Sequence, residues 1–160
     1  MNRKPGQNRF FDIDGDVSIQ LAPWVLIKKG YPEGIAYFDL KIPIRFYSDI
    51  AKGVIVVPEN YRSDLASIPQ FAWSIFMKPD DPRIELGGWI HDYLYELEGK
   101  DIPLEGGRKV SLSRKEADRV LTEEAMPDLF ANDFQCETVY QILRKFGKGW
   151  ANDSFWERFD

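Results

Sequence analysis

One imidazole and several well-spaced carboxylates are the side chains of this chain whose types and positions can do chemistry. His91 is the sole histidine, and it is followed directly by Asp92 in Gly87-Gly88-Trp89-Ile90-His91-Asp92-Tyr93-Leu94-Tyr95-Glu96. Asp64 lies in Tyr61-Arg62-Ser63-Asp64-Leu65-Ala66-Ser67-Ile68-Pro69, and Asp118 in Ser113-Arg114-Lys115-Glu116-Ala117-Asp118. A set of one imidazole and three carboxylates suits Mg or Mn better than structural zinc. Such an ion activates water and offsets charge on a phosphate, so the set points to hydrolysis of a phosphodiester or similar small anion. In that reading Asp64, His91, Asp92 and Asp118 are metal ligands, and His91, Asp92 and Asp64 are the catalytic groups. Arg114, Ser67 and Tyr95 contact the substrate, the guanidinium matching its anionic group.

Each of these residues also has a purely structural reading. Asp64 or Ser67 can cap a following helix. His91 can be a core histidine bonded to a carbonyl or carboxylate, with Asp92 as an ion-pair partner. Asp118, one turn after Arg114, can form an ion pair between helices. The same residues then lock a strand half to a helical half, and the protein is a non-enzymatic assembly or protein-binding module. A third reading is a sponge that sequesters a nucleotide without cleaving it, with Arg114 and an aromatic such as Trp89 or Tyr95 lining the pocket. Burial separates these readings: if His91 and Asp64 are bonded to each other or to backbone with no open cleft, the binding module is favoured.

Composition removes several classes. A single cysteine, Cys136, excludes a disulfide framework and paired-cysteine zinc sites. No Walker or GxGxxG pattern is present, and Ser63 and Ser67 lack a nucleophile elbow. The net charge of −5 argues against general nucleic-acid binding by a basic surface. Apolar runs such as Val54-Ile55-Val56-Val57 are far too short to span a bilayer, and Met1 to Arg9 has no apolar signal region, so cytosolic synthesis is expected. Arg144, Lys145 and Lys148 beside Phe146 and Trp150 read as a solvated helix end complementing its dipole.

The positioning elements follow from periodicity. A short strand is expected around Arg9 to Ile13, and another over Val17 to Lys28. A turn at Gly30, Pro32, Glu33 and Gly34 leads to a strand over Ile35 to Phe46, where Ala36, Phe38, Leu40, Ile42 and Ile44 alternate; Pro43 marks an edge or bend near its end. Gly53 to Val57 forms a further strand. Helices are expected over Gln70 to Met77, from Arg83 to Glu98 with a stop at Gly99, from the capping box Ser113-Glu116 to just before Pro127, and from Asp133 to Phe146, where Cys136, Val139, Tyr140, Leu143 and Phe146 form the inner stripe. Residues 99–111 suit a loop or small hairpin, and Phe155, Trp156 and Phe159 a tail helix. In the helix carrying His91, the two glycines call for close approach of another segment, because glycine costs about 1 kcal/mol against alanine there. Strands first and helices second is α+β order. The expectation is one domain over 1–160, mainly strands over 8–58 and mainly helices over 70–160, with an antiparallel meander packed on three to four helices.

Three co-linear segments, Ser63 to Pro69, His91 to Tyr95, and Arg114 with Ala117-Asp118, resemble a family of uncharacterised proteins of tailed phages and prophages. That family's pattern is (T/S)DLAS(V/I)P, HDxLY and RxxAD, followed by an aromatic and glycine ending that Phe146-Gly147 and Trp150 match. The resemblance covers about residues 54–150. It implies expression inside an infected bacterium, in the host cytoplasm or the virion, and no established activity; a hydrolase there would serve host takeover or anti-defence, and a binding module would engage a host or phage protein. The His91-Asp92 pair also resembles the HD phosphohydrolases, whose pattern is H…HD…D. This chain has no other histidine for the first ligand, and Asp64 would stand in its place.

Overall fold

The computed structural model describes residues 9–11, 24–28, 37–63, 82–129, 131–147 and 150. Strands β1 (Phe10–Phe11), β2 (Trp24–Lys28), β3 (Tyr37–Leu40), β4 (Ile44–Ser48), β5 (Gly53–Val57) and β6 (Arg62–Ser63) come first. They are followed by α1 (Pro82–Glu96), a hairpin of β7 (Ile102–Pro103) and β8 (Lys109–Val110), α2 (Arg114–Arg119), a π-helical segment (Val120–Ala125), α3 (Met126–Asp128) and α4 (Asp133–Phe146). The order is α+β, as the alternation patterns require. The expected strand over Val17 to Leu21, the turn at Gly30 to Gly34, the helix at Gln70 to Met77 and the tail aromatics lie outside the described residues.

The alternating run from Ile35 to Phe46 does not remain one strand. Pro43 lacks a backbone donor, and the chain bends at Lys41-Ile42. The two halves enter different antiparallel sheets, one in the order β2-β3-β6 and the other β1-β4-β5. Ile42, in phase with the core by sequence, is therefore 46% exposed, while Leu40, Ile44 and Phe46 are fully buried. The antiparallel strands of this half thus divide between two small sheets. β4 and β5 pair from Ile44↔Val57 to Ser48↔Gly53, and the connecting turn places Lys52 in the left-handed region with φ 59°. On the far edge of β5 the β7–β8 hairpin is pinned by a bridge between Ile55 and Leu104 and by Glu105 N–H donating to Val54 O.

Helix α1 ends at Glu96, two residues before the expected last residue Glu98. The Glu98 N–H donates to Tyr95 O and the Gly99 N–H to Leu94 O, the paired bonds of a Schellman ending. Glu98 takes the first left-handed position (φ 49°) and Gly99 follows at φ 65°. What demands glycine at 99 is space as much as backbone conformation: an added Cβ would lie 2.0 Å from Leu112 O and 2.7 Å from the Trp150 ring. The glycine gap inside α1 is occupied as its cost requires. A Cβ on Gly87 would meet Leu121 at 3.0 Å, with Leu129 and Ala125 just beyond, so α1 lies closely against the π-helical segment.

The Ser113-Glu116 capping box is present in both directions. The helix it starts was expected to end before Pro127; instead it widens to π register over Val120–Ala125, the Met126 N–H bonding to Leu121 O, and resumes as α3 through Pro127. In α register the Pro127 ring would press on the carbonyl four residues earlier, and one wide turn relieves that contact. In α4, Cys136, Val139, Tyr140 and Leu143 point inward as expected, but Phe146 is 65% exposed and Arg144 is buried in its stead. A contiguous apolar cluster runs from Phe10 through β4, β5, α1 and the π-helical segment to Trp150, with Trp89 its largest fully buried side chain.

Gly99→Ala combines a left-handed backbone with an overlap onto a main-chain oxygen, and is expected to cost about 3 kcal/mol. Urea denaturation of the purified variant, read as a lower midpoint at unchanged slope, checks this.

Candidate functional site

The Ser113 cap fixes the first turn of α2, which carries Asp118 inward as a residue with no solvent exposure. Three elements converge on its carboxylate. From α1, His91 Nε2 lies 2.9 Å from Oδ1 and the Tyr95 hydroxyl donates to the same oxygen at 2.5 Å. From α4, Arg144 Nη1 donates to Oδ2 at 2.9 Å. Arg114, one turn earlier on α2, stands 3.9 Å from Oδ2 and donates to Leu143 O at 3.2 Å. Thr122 Oγ1 donates to the Asp118 carbonyl at 2.9 Å. Because a carboxylate only accepts, the His91 proton in this bond sits on Nε2. The His91 and Tyr95 rings overlap at 4.2 Å between centroids, and Trp150 closes the cluster edge-on to Tyr95 at 5.1 Å. His91 has no exposed surface, and Arg114 and Arg144 have almost none. Burial first, then the Asp118 carboxylate, push the Tyr95 hydroxyl pKa well above its ordinary range, with Arg114 opposing. Tyr95 is therefore a fixed donor.

Asp92 turns to a neighbouring face of α1, as adjacent helical residues must. It is half-buried and accepts a hydrogen bond from Ser63 Oγ at the end of β6. One turn on, Glu96 accepts from the Tyr61 hydroxyl, and Tyr61 meets Trp89 and Tyr93 edge-on. Burial first, then the bond to Glu96, raise the Tyr61 pKa. The strand half is thus tied to α1 on this side.

Of the residues the sequence singled out, His91, Asp118, Arg114 and Tyr95 meet in one cluster. Asp92 joins Ser63 in a second neighbourhood. Asp64 and Ser67 lie outside the described residues. Among the described residues no group of three or more histidine, cysteine, aspartate or glutamate side chains is placed to hold a metal ion.

Two participants escaped the sequence reading. Arg144, expected in a solvated helix end, is 3% exposed and is the nearest counter-charge to Asp118. Its spacing four residues after Tyr140 and eight after Cys136 was the available signal. Glu124 is the other. It accepts from Ser48 Oγ and from the Asp49 N–H, each at 2.6 Å, and pairs with Arg9 Nη1 at 3.1 Å. Its place seven residues after Ala117 put it on the apolar stripe. Burial raises its pKa above the ordinary 4.5, with the bonds from Ser48, Asp49 and Arg9 pulling back.

Residues 38–142 match the family model described as a protein of unknown function, DUF1353, and the chain belongs to that family. No curated protein matches the chain, and no solved structure matches it. The matched segment contains His91, Asp92, Arg114 and Asp118, and ends two residues short of Arg144.

Asp118→Asn is expected to cost about 3–5 kcal/mol, because it leaves two buried guanidiniums without their carboxylate. Tyr95→Phe, which removes one hydroxyl and leaves the ion pairs, is expected to cost about 1 kcal/mol. Chemical denaturation of the two variants side by side checks the ratio. For Glu124, a folded pKa raised above the unfolded value gives a stability contribution that is complete below 4.5 and lost as pH rises through the folded value. Thermal melts across mildly acidic pH should therefore show a smaller stability loss with rising pH in Glu124→Gln than in the wild type.

Proposed function

We propose that this DUF1353 member is a phage-encoded binding module that engages a host or phage protein, with the His91–Asp118 cluster as its internal brace and not a reaction centre. The observation that carries the reading is the saturation of Asp118: both of its oxygens are taken by donors from α1 and α4, in a place with no solvent exposure. An imidazole acting as general base must come within hydrogen-bond reach of a substrate proton. His91 has no exposed surface, and its Nε2 is committed to Asp118. A metal at Asp118 would have to displace a guanidinium and a hydroxyl and would bring more positive charge beside two buried arginines, so this donor shell does not fit Mg or Mn. Arg114 is equally removed from any ligand of the nucleotide-sponge kind, being 2% exposed and tied to Leu143 O. The bacterial host cytoplasm, or the assembling virion, is the setting this reading implies.

A second reading is kept by one observation. Asp92 retains solvent access beside Ser63, at the point where the chain enters the segment of Asp64 and Ser67. A metal-dependent hydrolase of a small anionic substrate would be centred there, on Asp92.

Thermal melts with millimolar Mg or Mn decide between the two. The binding module predicts the same melting temperature with and without either ion. A saturable rise of several degrees that is lost in Asp92→Asn would overturn it in favour of the hydrolase.

A further inference from the structure

At the outer edge of β4, a two-residue strand is held by more polar contacts than its length requires. β1 pairs Phe10 with Phe46 and Phe11 with Arg45, and the Tyr47 N–H donates to Arg9 O at 2.8 Å. The Arg9 N–H donates to Asp128 Oδ2 at 3.0 Å. The Arg9 side chain, only 8% exposed, reaches Asp49 Oδ2 at 2.8 Å, Glu124 Oε2 at 3.1 Å and Tyr47 O at 3.3 Å. Phe10 packs on Phe46 at 4.8 Å between ring centroids. Two carboxylates, Asp49 of the β4–β5 turn and Glu124 of the π-helical segment, thus flank the Arg9 guanidinium, while Asp128 of α3 takes its main-chain N–H, and an aromatic seat lies one residue further along the strand.

The origin of the two sides differs. Tyr47, Asp49, Glu124 and Asp128 all lie within the family segment 38–142, whereas Arg9 and Phe10 lie outside it. The socket residues lie in the matched segment, and their occupant comes from the stretch of chain before it. The occupant binds by the rules of strand addition: main-chain bonds to an exposed sheet edge supply affinity, and side-chain pockets supply selectivity.

We propose that the β4 edge with Asp49, Glu124 and Asp128 is a docking socket for an extended protein segment presenting an arginine followed by an aromatic residue, and that Arg9-Phe10 occupies it in cis as a displaceable strap. This deepens the binding-module reading and rests on it, by naming the partner chemistry: a basic-aromatic strand from another protein. Charge complementarity selects the arginine. The Phe46 face selects the aromatic. A strand from another protein with the same Arg-aromatic pair competes for the same main-chain groups of β4 and the same carboxylates.

The probe is a fluorescent peptide copying residues 5–12 (Pro5-Gly6-Gln7-Asn8-Arg9-Phe10-Phe11-Asp12), titrated by anisotropy into full-length protein. Full-length Arg9→Ala, whose strap has lost its anchor, should bind it saturably. The wild type should bind at least about tenfold more weakly, since a tethered occupant competes at high effective concentration. The same peptide carrying Arg9→Glu should not bind. Absence of saturable binding to folded Arg9→Ala, or equal binding of the Arg9→Glu peptide, overturns the proposal. Should Arg9→Ala fail to fold, amide exchange of the wild type decides. A displaceable strap requires the Tyr47 amide to exchange far faster than the amides of Ile90 and Leu94, and equally slow exchange overturns it. Failure of these tests with a melting temperature indifferent to Mg and Mn would leave the binding-module reading standing without this socket, whereas a metal-dependent rise would remove the reading itself.

Discussion

The constraint on which the helical half depends is the burial of one carboxylate. An ionised aspartate taken wholly out of water costs several kcal/mol unless its oxygens are satisfied and its charge is matched. Asp118 meets both conditions only when α1, α2 and α4 stand where they do. His91 and Tyr95 must lie one turn apart on α1, and Arg144 must come from the last turn of α4. Apolar packing is tolerant of small shifts, but hydrogen bonds at 2.5–2.9 Å are not. The polar cluster therefore selects one arrangement among the several that the greasy faces of these helices would allow.

The close approach this demands explains two otherwise costly features. Gly87 leaves room for Leu121 and Ala125, so α1 can come near enough for His91 to reach Asp118. The π-helical turn then rotates the chain after Asp118. Asp118 faces the helices, while Glu124, six residues on, faces the β4–β5 turn and binds Ser48, the Asp49 amide and Arg9. One short helical stretch thereby serves two polar clusters on different sides of the molecule. The strain of an irregular helix is offset by the satisfaction of two buried carboxylates.

The proposed function rests on where solvent access remains. The side chains with the most reactive character, His91 above all, are those most enclosed. Two polar side chains beside these clusters keep solvent access: Asp92, half-buried beside Ser63, and Asp49, whose side chain is 65% exposed. The closed polar interior and the β4 edge are the two observations on which the binding-module proposal rests.

Local sequence alone determined the α+β order, the strand over Gly53–Val57, a loop or hairpin over residues 99–111, the Ser113 capping box and the α4 span. Each follows from a period of 2 or 3.6, a cap or a turn residue, all of which act within a few positions of the chain. Tertiary structure alone decided that the run from Ile35 to Phe46 divides between two sheets, that Arg144 turns inward and Phe146 outward, and that His91 and Asp92, adjacent in sequence, serve different neighbourhoods. It also decided that Arg9 meets Asp128, 119 positions away. Pairings of that kind depend on crossing angles and strand register, which periodicity within a segment does not encode. For the same reason the spacing of four acidic and imidazole side chains suggested one shared site, while the helices that carry them placed His91 with Asp118 and sent Asp92 elsewhere.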